Sequence, residues 1–555
     1  MSKKILYNDE AREALKRGVD VAANAARITI GPRGRNVALA KSYGGPTITN
    51  DGVSIVREIS LSDPFENMGV EIVKEVANKT NDAAGDGTTT ATVLLQAIIT
   101  EGMRHMQSGL EIMGIKRGIE YAQKDIVSAL KDQSKPISSS EEISQVATVS
   151  AESQSMGAII AETIEKVGHD GVVTVEESQG LDMASYIVEG MQFDKGYISP
   201  YMITDPERME AVYENVPVLL VDKKISSVKE MLPFLDKLAS SGQKDLIVIA
   251  EDVEGEALTT FVVNKLRGVF NVLAVKAPGF GDKRKTHLED IAVVTGATVL
   301  SDETGISLDE STELSVLGKV KKIITNKDAT TIIDGAGEKT DIDTRIALLK
   351  KQVKATKSSY DKEALEKRIA KLSGGVAVIR VGAATETEMK YLKLKIEDAV
   401  NATKAAIEEG IVAGGGTALV HASRTLRDAL GDKSKSMSKE ELLGYETILN
   451  ACEAPLRYIG VNSGYGDGSV VVEKVKELGG NGGYNSVSDT YVDDMIKEGI
   501  IDPLKVTRNA IENAASAAGT FLTTEVAIAD DADEKSSPAM GMNPGMGGGM
   551  AGMGF

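Results

Sequence analysis

Apolar residues recur with a helical period through most of the first 130 residues. After Asn8, a set of apolar residues falls on one face of a helix, as expected where that face is buried: Leu15, Val19, Ala22, Ala23 and Ala26. Residues 71–83 and 90–106 are two further predicted helices, and a glycine-containing loop lies between them. The pattern therefore predicts a mainly helical first region.

The pattern changes near residue 216. Short apolar runs typical of buried parallel strands appear at residues 216–221, 246–250 and 272–275. Helical stretches alternate with them, near residues 227–240, 255–267 and 283–293. Two charged amphipathic helices are predicted over residues 342–372. The middle of the chain is therefore predicted to be α/β.

Composition changes predict domain boundaries. At 555 residues the chain is too long for one core, and about two to four domains are expected. The polar segment Lys131–Pro136 predicts a first boundary, and Gly374-Gly375 predicts a hinge. Ser536–Phe555 is nearly all Gly and Met with a few small residues, so it cannot bury enough surface to offset its chain entropy. We expect this tail to be disordered.

Charge and cysteine content exclude several classes of protein. Acids exceed bases by 82 to 63, which gives a net charge of −19 and argues against general nucleic-acid binding. The single cysteine, Cys452, allows no internal disulfide, and the four histidines lack the spacing of a zinc site. No apolar run reaches the roughly 20 residues of a membrane span, and no signal or transit segment is recognised. We expect a cytoplasmic protein that does not enter the membrane.

The clearest candidate chemistry lies in the loop Gly85–Thr90, with the sequence Gly-Asp-Gly-Thr-Thr-Thr before an apolar helical run. Glycines allow successive N–H groups to converge on an anion, and the following helix N-terminus adds unpaired donors. Asp86 would oppose a bare phosphate but suits Mg²⁺ bridging phosphates. Taken alone, the loop is equally consistent with a simple helix cap.

Two other turns are candidate neighbours of this loop. Thr29–Arg35 contains Gly31-Pro32, which stops a helix, and two arginines that could meet phosphate or simply face solvent. Asn50-Asp51-Gly52 is a turn signal that brings a second acid. The triple glycine Gly414–Gly416 permits close backbone approach to a ligand, although a plain linker has the same composition.

Two helices of the middle region carry more apolar surface than one-sided packing needs. The apolar residues of the helix near 255–267 spread over about 200° of its circumference, against about 100° for a one-sided helix. Those of the helix near 227–240 cover about 160° by the same count. Burial on two sides explains this pattern, and so does a shared groove for apolar polypeptide segments.

Several motifs, in this order, resemble the group I chaperonins of the GroEL type. They are Gly85–Thr90, Lys276–Asp282, Ala405–Gly410 leading into Gly414–Gly416, and the Gly-Gly-Met tail. The resemblance extends essentially from residue 3 to residue 555. It implies a multidomain fold with an all-α equatorial domain, a small α/β intermediate domain and an α/β apical domain.

The resemblance also implies the domain boundaries. The equatorial ATPase domain would comprise residues 1–133 and 409–530, and the intermediate domain residues 134–189 and 376–408. The apical domain, which binds substrate and lid, would comprise residues 190–375. Residues 531–555 would form the disordered tail.

A nucleotide site follows from the matching positions. The resemblance implies that ATP, Mg²⁺ and K⁺ are bound by a set of residues from distant segments: Thr29, Ile30, Gly31, Pro32, Asn50, Asp86, Gly87, Thr88, Thr89, Thr90, Gly415, Asn485, Ser486, Val487 and Asp502. Asp86 would hold Mg²⁺. Asp398 would orient or deprotonate the attacking water, with Asp51 assisting. Asn50 stands where group I members usually carry lysine, and its backbone carbonyl could still serve K⁺.

The matching apical positions imply a surface for non-native polypeptides: Tyr197, Tyr201, Met202, Leu232, Leu235, Leu258, Val262 and Val263. Met202 replaces a usual aromatic residue and keeps the position apolar. This match favours the groove over simple burial of both helices.

The function implied is an ATP-dependent protein-folding chaperonin. Its subunits would assemble into stacked heptameric rings closed by a small GroES-type lid. The alternative is a ring-forming holdase or scaffold with weak or altered ATPase, which Asn50 would mark. A metabolic kinase is disfavoured because the chain has no Walker A sequence.

Overall fold

The computed structural model describes residues 3–40, 46–106, 110–137, 139–168, 171–178, 180–206, 208–301, 312–356 and 358–530. It divides into two compact units, one formed by Met1–Ile137 with Asn401–Phe555 and the other by Ser138–Val400. The chain therefore leaves the first unit and returns to it. The predicted disordered tail lies outside the described residues, and the finer division into three domains stays a prediction.

The first unit is mainly helical, as the periodicity predicts. Its helices are Asn8–Ala26, Gly52–Glu58, Pro64–Ala84, Thr88–Met106, Ile112–Gln133, Thr417–Asp428, Leu430–Lys433, Lys439–Ala451, Ala454–Asn462, Ser469–Leu478 and Leu504–Leu522. Its strands form two-stranded antiparallel pairs: Lys3–Tyr7 with Val526–Asp530, Val37–Leu39 with Thr47–Thr49, Ile411–Ala413 with Ile501–Pro503, and Gly483–Asn485 with Thr490–Val492.

The core of this unit surrounds the helix Thr88–Met106. Its side chains at Leu94, Leu95 and Ile98 are fully buried, in one cluster with apolar residues of Leu504–Leu522 and Lys439–Ala451. The face predicted for the first helix is confirmed as buried. Because both flanking helices of the Gly85–Thr90 loop belong to this core, the loop is held on a rigid support.

The second unit is α/β. A seven-stranded sheet contains Gly190–Phe193, Ala211–Ile225, Asp245–Val253, Asn271–Lys276, Val299–Leu300, Gly318–Thr325 and Thr330–Gly335, and a three-stranded sheet contains Val172–Glu177, Ala184–Val188 and Val376–Val381. The helices within this unit are Ser140–Ala151, Gln154–Val167, Leu232–Ser240, Gly255–Leu266, Asp282–Thr295, Lys339–Ala355 and Ser359–Ser373. A further helix, Glu386–Glu409, begins in this unit and ends in the first.

The predicted parallel strands are confirmed. Ala211–Ile225 pairs in parallel with Asp245–Val253, which pairs in parallel with Asn271–Lys276. The sheet continues with Gly318–Thr325, Thr330–Gly335 and Gly190–Phe193, each paired antiparallel with its neighbour. The apolar runs did not predict these antiparallel strands. Among the described residues, the structure contains no helix that is both long and apolar enough to cross a membrane.

Candidate functional site

The loop between two long helices forms one wall of the candidate site. Helix Pro64–Ala84 ends at Gly85 with a left-handed φ of 70°, and helix Thr88–Met106 begins three residues later. Gly87 is also left-handed, with φ 81°, and a Cβ built on it would lie 2.5 Å from Val506 Cγ1. Glycine is required because both the backbone conformation and the available space oppose a side chain. The unpaired N–H groups of the first helical turn therefore adjoin a tightly packed turn.

Asp51 has a clear structural role. Its carboxylate caps helix Gly52–Glu58 by accepting hydrogen bonds from the N–H groups of Val53 (3.2 Å) and Ser54 (3.0 Å). The side chain is only half-buried, so it can also face a ligand. Asp51 therefore caps the helix that follows the turn, as the turn signal allowed. Its assisting role in hydrolysis stays a prediction.

Three of the predicted nucleotide segments meet at Thr89. A Cβ built on Gly52 would lie 2.2 Å from Thr89 Oγ1, which shows how closely the Asp51 turn packs on the loop. The same oxygen lies 3.4 Å from Thr29 Oγ1, at the end of the turn Arg27–Thr29. These residues are about 20 to 60 positions apart in the chain, and only the packing of the helices joins them.

Asp502 adds an acid from the far end of the chain. Strand Ile501–Pro503 pairs with Ile411–Ala413, and the Asp502 carboxylate accepts backbone hydrogen bonds from Gly415 and Gly416. Gly415 is left-handed, with φ 66°. The triple glycine is therefore a tight turn that holds an acid, and not a plain linker.

The carboxyl groups of Asp86 and Asp502 interact electrostatically. Burial and, next, the negative charge of Asp86 raise the pKa of Asp502 to about 7, even though hydrogen bonds from the two glycine N–H groups lower it. A cation between two such carboxylates would relieve both the burial cost and the repulsion. This pair is therefore a candidate place for a metal ion.

The hairpin that carries three predicted nucleotide residues lies beside the Gly31 turn. Asn485 ends strand Gly483–Asn485, and its side-chain oxygen accepts hydrogen bonds from the N–H groups of Val487 (3.0 Å) and Ser488 (3.3 Å). Ser486 is buried, whereas Val487 is 70% exposed. Arg33 donates to the Val487 carbonyl at 3.3 Å, which links the two turns.

The remaining predicted nucleotide residues differ in exposure. Ile30 and Thr88 are buried, Gly31, Asn50 and Thr90 are half-buried, and Pro32 is exposed. Asp398 lies in the second unit, on helix Glu386–Glu409, and its catalytic role stays a prediction.

One residue that supports the site was missed from the sequence. The Asn462 side chain donates to the backbone carbonyls of Arg27 (3.2 Å) and Ile30 (2.9 Å), and thereby holds the chain on either side of Thr29. A lone asparagine at the end of helix Ala454–Asn462 has no motif around it. No sequence signal could have found it.

The donor set fits a magnesium–nucleotide complex. Glycine turns and a helix N-terminus offer backbone N–H groups for phosphate, and Asp86 with Asp502 offers oxygen ligands for Mg²⁺. Within the described ranges, no group of three or more His, Cys, Asp or Glu side chains could hold a metal ion by itself. A site that depends on both carboxylates and ligand phosphates is the usual arrangement for Mg²⁺.

The second unit exposes part of the predicted polypeptide-binding surface. Tyr201 is 68% exposed, Leu232 47% and Val263 37%. The other predicted residues are less accessible: Tyr197, Leu235, Leu258 and Val262 are partly buried against the core, and Met202 is fully buried. Met202 therefore presents no surface in this structure, and the use of the exposed residues as a polypeptide-binding groove stays a prediction.

Met202 and its neighbours are fixed to the sheet edge. The Met202 sulfur accepts a hydrogen bond from the Ala274 N–H at 3.2 Å. Lys265, on helix Gly255–Leu266, donates its amine to the Met202 carbonyl and to the Ile203 carbonyl at 2.9 Å. This amine joins the exposed Tyr201 turn to the helix that carries Val263.

Comparison with known proteins places the chain in a family. Residues 22–532 match the model of the TCP-1/cpn60 chaperonin family. The chain belongs to the TCP-1/cpn60 chaperonin family. The match covers nearly the whole of this chaperonin, including every predicted site residue.

A solved structure shows the same fold. The chaperonin is similar to the chaperonin gp146 from bacteriophage EL, whose crystal structure was determined in the presence of ATP-BeFx. The TM-score is 0.68 at 19% sequence identity, and the match covers 95% of this chain and 99% of the phage chain. At this identity the likeness establishes the chaperonin fold, here a helical unit and an α/β unit.

Proposed function

We propose that this chaperonin is an ATP-dependent protein-folding machine of the GroEL type. It captures non-native polypeptides on an apolar surface and encloses them in a lidded ring chamber, and ATP binding and hydrolysis drive the cycle. The proposed domains are those that the resemblance implies, with residues 1–133 and 409–530 forming the ATPase domain. Stacked heptameric rings and a small GroES-type lid complete the assembly.

One observation carries the ATPase proposal. The loop Gly85–Thr90, the Asp51 turn and Thr29 meet at Thr89, and Asp502 lies close enough to Asp86 to feel its charge. Sequence-distant groups with the chemistry of a phosphate and Mg²⁺ site are thus assembled in one unit. The structural relative crystallised in the presence of ATP-BeFx supports the same assignment.

The chain's own residues have distinct proposed roles. Backbone N–H groups of Thr88–Thr90 bind phosphate, since the Gly87 N–H donates to the Asp86 carboxylate. Asp86 would hold Mg²⁺, and the Asn50 carbonyl would be available to K⁺. When bound, Mg²⁺ supplies neutralisation of phosphate charge. Asp398 orients the attacking water and accepts its proton, and Asp51 assists. Asn485–Val487 and Gly415 enclose the rest of the nucleotide.

The decisive experiment separates binding from hydrolysis. Asp398→Ala should retain ATP binding but lower steady-state turnover by about 100-fold or more, because a positioned general base contributes on that order. Asp86→Ala should instead lose Mg²⁺-dependent nucleotide binding. Turnover is measured by phosphate release, and binding by equilibrium titration with a fluorescent ATP analogue.

The holdase or scaffold alternative predicts a different result. If Asn50 marks a weakened ATPase, the unsubstituted protein should turn ATP over slowly, and Asn50→Lys should accelerate it. Prevention of aggregation of an unfolded protein would then not depend on ATP. Full ATP turnover that Asp398→Ala abolishes would reject this alternative.

A further inference from the structure

In the hairpin that carries Asn485–Val487, two tyrosine hydroxyls donate hydrogen bonds to the carboxylate of Asp489. Asp489 lies at the end of the hairpin turn in a left-handed conformation, with φ 58°. The same carboxylate oxygen, Oδ1, accepts hydrogen bonds from the hydroxyls of Tyr465 and Tyr484, each at 2.8 Å. A single oxygen thus satisfies two phenols from different segments.

The two tyrosines connect the hairpin to the rest of the first unit. Tyr484 belongs to strand Gly483–Asn485, whereas Tyr465 follows helix Ala454–Asn462. Their rings pack edge to face, with centroids 5.8 Å apart. Both pack in a small apolar cluster that also contains Ile30. Both hydrogen bonds lower the pKa of Asp489, so the carboxylate stays charged near neutral pH.

A second contact holds the hairpin turn at Val487. Arg33, next to the Gly31 turn, donates to the Val487 carbonyl at 3.3 Å. The turn therefore has two attachments, one to the predicted phosphate-binding segment and one to the Tyr465 segment. Its own strands, three residues each, are too short to fix the position of the turn by themselves.

We propose that Tyr465 and Asp489 are positioning residues of the nucleotide site, which hold Asn485–Val487 where that segment closes on bound nucleotide. The proposal rests on the proposed ATPase function and assigns a role to two residues outside the predicted site. The hydrogen bond from the Tyr465 hydroxyl to Asp489 is called the clamp. Loss of the clamp leaves the proposed phosphate-binding loop Gly85–Thr90 and the proposed catalytic acid Asp398 untouched. It therefore weakens nucleotide affinity without slowing the chemical step.

The chain offers a matched control for this proposal. Tyr491 lies in the same hairpin, 5.4 Å from Tyr484 between ring centroids, and its hydroxyl is buried without a hydrogen-bond partner. Tyr465→Phe and Tyr491→Phe remove the same atom from neighbouring rings. Only the first change breaks a hydrogen bond to Asp489.

The test is the dependence of ATP turnover on ATP concentration in the full-length protein. Tyr465→Phe should raise the KM for ATP by up to about tenfold with kcat nearly unchanged, since a hydrogen bond to a charged group is worth roughly that factor. Tyr491→Phe should change neither constant. Asp489→Asn, which keeps an accepting oxygen, should fall between the unsubstituted protein and Asp489→Ala.

The outcomes separate this proposal from the ATPase proposal. If the unsubstituted protein neither binds a fluorescent ATP analogue nor hydrolyses ATP, the proposed function is wrong and the clamp loses its role with it. If it does both but Tyr465→Phe matches Tyr491→Phe in KM, only the positioning role is overturned. A fall in kcat or thermal stability with constant KM would also overturn it, because it would indicate a structural role alone.

Discussion

At the scale of single residues, the candidate site depends on glycines whose neighbours leave no space for a side chain. Gly87 combines a φ of 81° with a contact that a Cβ would make at 2.5 Å to Val506. The strain of a left-handed residue costs about 1 kcal/mol, but the steric contact moves the loop itself. The first effect changes stability, and the second changes the binding site.

Gly87→Ala should therefore weaken nucleotide binding more than its loss of stability explains. The matched control is Gly242→Ala in the second unit, which has a φ of 86° and open space around the built Cβ. Both variants should lose similar thermal stability, whereas only Gly87→Ala should lose nucleotide affinity. Adding Val506→Ala should restore part of that affinity in a double-mutant cycle. Equal affinities for the two single variants would contradict the steric explanation.

Lys265 makes stability depend on pH at the alkaline side. Burial lowers the pKa of its amine from 10.5 to about 8. Between these values the unfolded chain binds more protons than the folded one, so the free energy of unfolding contributed by this group rises with pH. The stability of the unsubstituted protein relative to Lys265→Met should thus increase from about pH 8 to pH 10.

Thermal or urea unfolding at several pH values measures this difference. Lys229→Met, at an exposed lysine in the same unit, provides the control and should show no such trend. Lys265→Met should also loosen the Tyr201 turn, since the amine donates to the carbonyls of Met202 and Ile203. Hydrogen exchange of the amides around Tyr201 would then be faster than in the control.

At the scale of elements, a buried carboxylate fixes two charged helices to the second unit. Asp290 is 2% exposed, on helix Asp282–Thr295. It accepts hydrogen bonds from Arg345 (2.8 Å) and from two nitrogens of Arg368 (2.7 and 2.9 Å). These arginines lie on the two predicted charged helices, so charge as well as apolar contact docks them.

Asp290→Ala should destabilise the protein by about 3–5 kcal/mol, because it leaves two guanidinium groups without their buried counter-charge. Glu289→Ala is the matched control, since Glu289 is exposed and forms an ion pair with the same Arg345. It should cost less than about 1 kcal/mol. Urea unfolding monitored by circular dichroism measures both, and similar values for the two variants would disprove the buried-charge argument.

At the scale of the whole molecule, the predicted assembly is a ring. The chain leaves the first unit after Ile137 and returns to it at Asn401, so the second unit is an insertion in sequence. Two chain segments therefore connect the units, one at residues 137–138 and one at residues 400–401. The family match supports a chaperonin, and the number of subunits stays a prediction.

The purified protein should sediment as rings of seven or fourteen subunits, and electron microscopy with ATP and a GroES-type lid should show capped particles. Asp398→Ala should accumulate the capped state if hydrolysis drives the cycle as proposed. A single 58.8 kDa species across protein concentrations, with ATP present, would contradict the ring.

Local sequence determined much of this protein. Helical periodicity located the first helices, and apolar runs located the three parallel strands, because each pattern reflects burial on a defined face of a regular element. Glycine spacing identified Gly85–Thr90 as a tight turn before a helix, since few other residues adopt φ > 0. The motifs also carried the resemblance to a chaperonin, and the family match confirms that level of identification.

Only the tertiary structure decided which segments meet. Thr29, Gly52 and Thr89 adjoin one another because three helices share one core, and no local pattern encodes that contact. The same holds for Asp489, whose two tyrosine partners become visible only once the hairpin is folded against the Tyr465 segment. Periodicity reports which face of an element is buried, whereas the partner on that face is set by long-range packing.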